Sequence, residues 1–129
     1  MEKAEIVLVV DDEVDIREAI ILGNKLSHRS FKEAENGYEA FKILKVEEFS
    51  AVICDVSMPK VSGIELLKMV RELGITTPFI FLSGHAGDEI LSQIEDKGIV
   101  KFLEKTGIRQ LPRVITESIN EHELQKSKR

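Results

Sequence analysis

Between Phe49 and Pro59 the chain reads FSAVICDVSMP. Ala51 to Cys54 is apolar at every position and stops at Asp55, before the loop-like Val56-Ser57-Met58-Pro59. A short continuous apolar run bounded by turn residues reads as a strand buried on both faces. Such a strand needs helices above and below its sheet. A carboxylate at its C-terminal end stands at the sheet rim on a rigid support, where open α/β sheets place ligands. Taken alone, Asp55 reads more simply as a cap on the strand or the following turn.

The rest of the chain repeats this pattern. Glu5 to Val10 (EIVLVV) is a second buried-type strand ending on Asp11, Asp12 and Glu13. Helical spacing follows from Val14 to about His28, with Ile16, Ala19, Ile20, Gly23 and Leu26 on one side. Ser30 to Glu35 is a short strand, Asn36-Gly37 a turn, and Tyr38 to Val46 a helix with Ala40, Phe41 and Leu44 inward. After the Phe49 to Cys54 strand comes a helix over Gly63 to Leu73, with Ile64, Leu67 and Val70 buried and Gly74 ending it. Pro78 to Leu82 is an apolar strand ending at Ser83-Gly84, and Asp88 to Lys97 an amphipathic helix closed by Gly98. Ile99 to Leu103 is the last strand, before Glu104-Lys105-Thr106. Ile108 to about Leu124 is the last helix, with Leu111, Val114, Ile115 and Ile119 on one stripe, and Gln125 to Arg129 a frayed polar tail. Alternating strands and helices force parallel strands joined by right-handed crossovers. The expectation is one doubly wound α/β domain, with a five-stranded parallel sheet and five helices on both faces.

Composition narrows the function classes. The 129 residues suffice for one domain with a proper core and no more. One cysteine excludes an internal disulfide and a multi-cysteine metal site, and favours a reducing, cytoplasmic compartment. The net charge of −5 argues against a nucleic-acid-binding surface. No apolar run approaches the length of a membrane span, and MEKAEIVLVV lacks the features of a signal peptide.

In a doubly wound fold all strand-to-helix loops share one edge of the sheet. Strand one brings Asp11 and Asp12 there, strand three Asp55, strand four Ser83 and strand five Lys105; only strand two, ending near Glu35, brings nothing obvious. If strands one and three are neighbours, about 4.8 Å apart, three carboxylates converge and raise one another's pKa. A hard divalent cation such as Mg²⁺, held by oxygen ligands, offsets that repulsion. Lys105 adds a positive charge on a long stem, and Ser83 a small hydroxyl. Carboxylate, magnesium, lysine and hydroxyl together make a phosphoryl-transfer apparatus, in which the carboxylate can itself be the nucleophile. Singly, Asp11 and Asp12 could be helix caps, Ser83 a turn residue and Lys105 a solvated charge; joint placement on one edge argues for a site.

With VVDD at Val9 to Asp12, ENGYEA at Glu35 to Ala40, D-x-x-M-P at Asp55 to Pro59, Gly63, Ser83, Phe102 and Lys105 in order, the chain resembles the receiver domain of two-component response regulators. The resemblance covers essentially residues 1–129, with the core at about 5–124. It implies the flavodoxin-like strand order 2-1-3-4-5 and the role of a phosphorylated signalling switch rather than a dedicated enzyme. Asp55 would accept a phosphoryl group from a sensor histidine kinase or phosphotransfer protein. Asp12, Asp55 and the backbone carbonyl of Ser57 would ligate Mg²⁺, with Asp11 acting mainly through water. Lys105 and Ser83 would contact the phosphoryl group. Ser83 and Phe102 would switch the face made by the fourth helix, fifth strand and fifth helix towards a protein effector or output domain. Ser57 and His85 would tune dephosphorylation, and His85 titrates near neutrality.

Thr106 departs from the family, which usually has a cis proline after the lysine. Because a cis bond to a non-proline residue costs about 2.5–4 kcal/mol, the Lys105–Thr106 bond is expected to be trans, with an altered loop. Three other readings compete. A haloacid-dehalogenase-type phosphatase would need a second Asp after the first strand, where Glu13 stands. A flavin-binding domain would need a phosphate-cradling loop where this one is acidic. A receiver-like interaction module working without phosphorylation is left open by Thr106.

Overall fold

The computed structural model describes residues 4–84, 92–94 and 96–128. Its strands are β1 (Ile6–Val10), β2 (Ser30–Ala34), β3 (Ala51–Asp55), β4 (Phe79–Ser83) and β5 (Val100–Glu104). They form one parallel sheet in the order β2-β1-β3-β4-β5. The expected doubly wound α/β fold is therefore the one observed.

Period-two alternation sorts each strand's side chains between two cores. Leu8, Val10, Val52, Cys54, Phe79 and Phe81 face one layer, with α2 (Gly37–Val46) and α3 (Gly63–Glu72) above them. Val7, Val9, Ala51, Ile53, Ile80 and Leu82 face the other, against α1 (Val14–Gly23) and the C-terminal helix (Leu111–Ser127). β3 and β4 are buried at every position, as runs without polar interruption require.

Local chemistry sets the helix starts. Asn36 caps α2 by accepting from the Glu39 amide at 2.8 Å. Ser62 and Glu65 form a capping box at α3. Gly63 lets α3 begin against the end of β3: a Cβ there would overlap the Asp55 carbonyl oxygen. The inward stripes of α2, α3 and the last helix lie where the spacing places them.

The ends of two helices differ from expectation. α1 stops at Gly23 instead of reaching His28, because the Asn24 side chain donates back to the Ile20 carbonyl at 2.8 Å and turns follow. Leu26 therefore leaves the predicted stripe and is 88% exposed, and Ala19 and Gly23 are exposed too. The last helix is preceded by a 3₁₀ turn over Lys105–Gln110 and runs on through Ser127, so most of the predicted tail is helical. Of the helix expected over Asp88 to Lys97, residues 92–94 are helical with Ile94 buried; the remainder falls partly outside the described residues.

Candidate functional site

The sheet brings β1 and β3 side by side, pairing Val10 with Cys54, so the residues that follow each meet at the carboxyl edge. Asp11 is 1% exposed and Asp55 6%, while Asp12 is exposed. One carboxylate oxygen from each of the three lies within 4.8 Å of the others. The Asp55 carboxylate accepts from the Ser57 amide at Oδ1 (3.2 Å) and from Lys105 Nζ at Oδ2 (3.3 Å). Lys105 thus reaches from the end of β5 across β4 to β3, the span expected of its long stem.

Burial pushes the Asp11 carboxyl up to about 6. The hydrogen bond from the Glu13 amide opposes this, Asp55 and Asp12 add to it, and Lys105 works against it. Burial pulls Lys105 down, but the negative charges of Asp55, Asp11 and Glu13 outweigh it and leave the ammonium above its ordinary range. Beneath the site the Cys54 thiol is raised, by burial and then by the same carboxylates, and stays protonated as a packing residue.

Asp11 Oδ2 is buried with no hydrogen-bond partner. A buried carboxylate oxygen in that state is costly unless something positive completes it. The convergent atoms are all oxygens, the donor type that Mg²⁺ prefers, and all lie within 4.8 Å of one another. The residues therefore fit a magnesium ion. The family model described as "Response regulator receiver domain" matches residues 7–116, which span β1 to the middle of the last helix.

The chain belongs to the response regulator receiver family.

Relatives of the receiver domain occur in larger proteins. It is 32% identical over 124 residues to the hydrogenase transcriptional regulatory protein HoxA of Bradyrhizobium diazoefficiens, covering 93% of this chain and 25% of that protein. It is 28% identical over 118 residues to the autoinducer 1 sensor kinase/phosphatase LuxN of Vibrio harveyi, covering 90% of this chain and 14% of that one. The chain thus spans a quarter or less of the length of these curated relatives. Among solved structures, the chemotaxis protein CheY4 of Vibrio cholerae superposes with a TM-score of 0.81 at 25% identity, covering 90% of this chain and 99% of that one.

Ser83 ends β4, buried, between the strands that carry Asp55 and Lys105. Phe102 lies half-buried on β5 with its ring 5.4 Å from that of Phe81, so in this conformation it packs on the α2–α3 core. Ser57 sits in the loop after Asp55, its amide engaged by that carboxylate. His85 lies outside the described residues. The Lys105–Thr106 bond is trans, as Thr106 leads one to expect, and the chain turns at once into the 3₁₀ segment.

Two residues at the site escaped the sequence reading. Arg17 on α1 donates from Nη1 to the Asp11 carbonyl at 2.7 Å and from Nε to Glu33 Oε1 at 2.9 Å. β2, which had no assigned contribution, thus reaches the acid cluster through Glu33 and Arg17. An arginine one turn into an amphipathic helix looks like a solvated charge, so no sequence signal distinguished it.

Proposed function

We propose that this receiver domain is a phosphoacceptor of a two-component phosphorelay, with Asp55 as the acceptor. The observation that carries the reading is the direct Lys105–Asp55 contact inside a cluster of three carboxylates, one of them with an unsatisfied buried oxygen. Asp12, Asp55 and the Ser57 carbonyl would hold Mg²⁺, with Asp11 beside them, mainly through water. When bound, the ion supplies Lewis-acid stabilisation of the phosphoryl oxygens.

This chain's residues do the rest. An Asp55 oxygen attacks the phosphorus of a phosphohistidine on a sensor kinase or phosphotransfer protein. The P–N bond breaks as the P–O bond forms, and the imidazole leaves with the electron pair. A carboxylate nucleophile has no proton to lose, so the attack needs no general base, and Lys105 faces the attacking group at 3.3 Å. Lys105 stays charged and follows the negative charge onto the phosphoryl oxygens. The Ser83 hydroxyl, on the strand between them, donates to the new group. Phe102 then leaves its packing on Phe81 for the space Ser83 vacates, and the face around β5 changes shape for a protein effector or output domain. Ser57 and His85 would tune the access of the hydrolytic water. Among the described residues no helix is long and apolar enough to cross a membrane, and we place this exchange in the cytoplasm.

Incubation with acetyl phosphate and Mg²⁺ followed by intact mass measurement tests the reading. The wild type should gain one phosphoryl group, and Asp55→Asn or omission of Mg²⁺ should abolish the gain. An unlabelled wild type, or a labelled Asp55→Asn protein, rejects it in favour of an interaction module that needs no phosphorylation.

A further inference from the structure

Arg17 stands behind the acid cluster. Its side chain is 13% exposed although it begins on the outer turn of α1, and its partner Glu33 is 43% exposed. A pair so close to the surface contributes little to stability through its charges alone. The hydrogen bond to the Asp11 carbonyl is different: it is short, charge-assisted and made to the peptide that joins Asp11 to Asp12.

That peptide is the hinge of the acidic pair. Its amide plane sets the directions in which the two side chains leave the backbone. The Asp11 amide donates to the Ala34 carbonyl at 3.1 Å and the Asp11 side chain accepts from the Glu13 amide at 2.9 Å, which fixes one side of the residue. Arg17 fixes the other. The planar guanidinium serves two partners from one rigid fork, which a lysine ammonium on a flexible stem cannot reproduce.

We infer that Arg17, braced by Glu33, is a positioning residue for the divalent-cation site: its grip on the Asp11 carbonyl aims the acidic pair at Asp55. This rests on the reading above that the acid cluster holds Mg²⁺. Two effects of Arg17 oppose each other. Its positive charge repels a cation, whereas its hydrogen bond orders the ligands. Glu33 pairs with Arg17 at 2.9 Å, so removing the two together reads orientation rather than charge.

A charge-neutral change isolates that contribution. The double variant Arg17→Met with Glu33→Gln removes both charges and the clamp, leaving the net charge unaltered. Mg²⁺ binding, measured by calorimetry without phosphodonor, should weaken about tenfold, as partners of metal ligands typically show. Arg17→Lys should fall between the wild type and the double variant. With acetyl phosphate, the Mg²⁺ concentration for half-maximal labelling should rise in step, while labelling at saturating Mg²⁺ stays close to the wild-type rate. Urea unfolding in EDTA, run in parallel, reports any purely structural effect, which would lower stability without moving Mg²⁺ affinity. Wild-type Mg²⁺ affinity in both variants overturns the inference; if the double variant does not fold, Arg17→Lys decides by the same measure. A wild type that binds no Mg²⁺ removes the underlying reading together with this one.

Discussion

The two ends of the sheet both bury charge, and they treat it in opposite ways. At the amino edge Arg71, near the end of α3, donates to the carbonyls of Lys97 (2.6 Å), Ile75 (2.8 Å) and Ile99 (3.5 Å). Its guanidinium also lies 5.4 Å from the centre of the Phe79 ring. Burial lowers its pKa to about 10, which leaves it charged at neutral pH. At the carboxyl edge Asp11 is more deeply buried, crowded by like charges, and left with one oxygen unpartnered. Arg71 is satisfied and ties α3 to the segment entering β5. Asp11 keeps one oxygen unsatisfied among three converging carboxylates. Burial of charge alone therefore does not mark a site; burial without completion does.

That contrast predicts opposite responses to neutralisation. The largest effect belongs to Arg71→Met, which strands the Lys97 and Ile75 carbonyls, while Ile99 keeps the Phe79 amide as donor, and should cost about 3 to 4 kcal/mol in urea unfolding. The folded fraction should still accept a phosphoryl group from acetyl phosphate, since the change lies at the far end of the sheet. A cost below about 1 kcal/mol would make the clamp incidental.

Asp11→Asn should act the other way and stabilise the metal-free protein by about 2 to 3 kcal/mol at pH 7. The sign follows from a folded-state value raised from 3.8 to about 6. The folded state then holds the proton more tightly than the unfolded chain, so this contribution is complete below pH 4 and lost as pH rises through 6. In EDTA the wild type should lose stability across that window, and Asp11→Asn should flatten the profile. An unchanged profile would show that the crowding is relieved by another route.

The smallest stability effect is expected at exposed Asp12. Asp12→Asn should move unfolding by less than about 0.5 kcal/mol, yet weaken Mg²⁺ binding measured by calorimetry. Asp12 therefore separates ligand function from burial; unaltered Mg²⁺ affinity would remove it from the site.

Much of this was legible in residue order. Uninterrupted apolar runs identify β3 and β4 as central strands, and the acids that follow such runs, with Lys105 at the end of β5, lie on one edge whatever the packing details. The errors have a local cause. Helical spacing carried α1 past Gly23 to Leu26, because the Asn24 side chain that ends the helix competes with the backbone in a way that periodicity does not register. Arg17, Glu33 and Arg71 went unassigned for another reason: long charged side chains choose partners from elements distant in sequence, such as the Asp11 and Lys97 carbonyls.

The amino-acid sequence by itself determined the alternation of elements, the two-sided burial of the sheet and the identity of the residues at its carboxyl edge, because hydrophobic period and turn chemistry are local. Only the tertiary structure decided that Lys105 reaches Asp55, that Asp11 keeps an unpartnered oxygen and that Glu33 on β2 pairs with Arg17. Those outcomes depend on strand order and on distances of a few ångströms between segments that chain connectivity leaves independent.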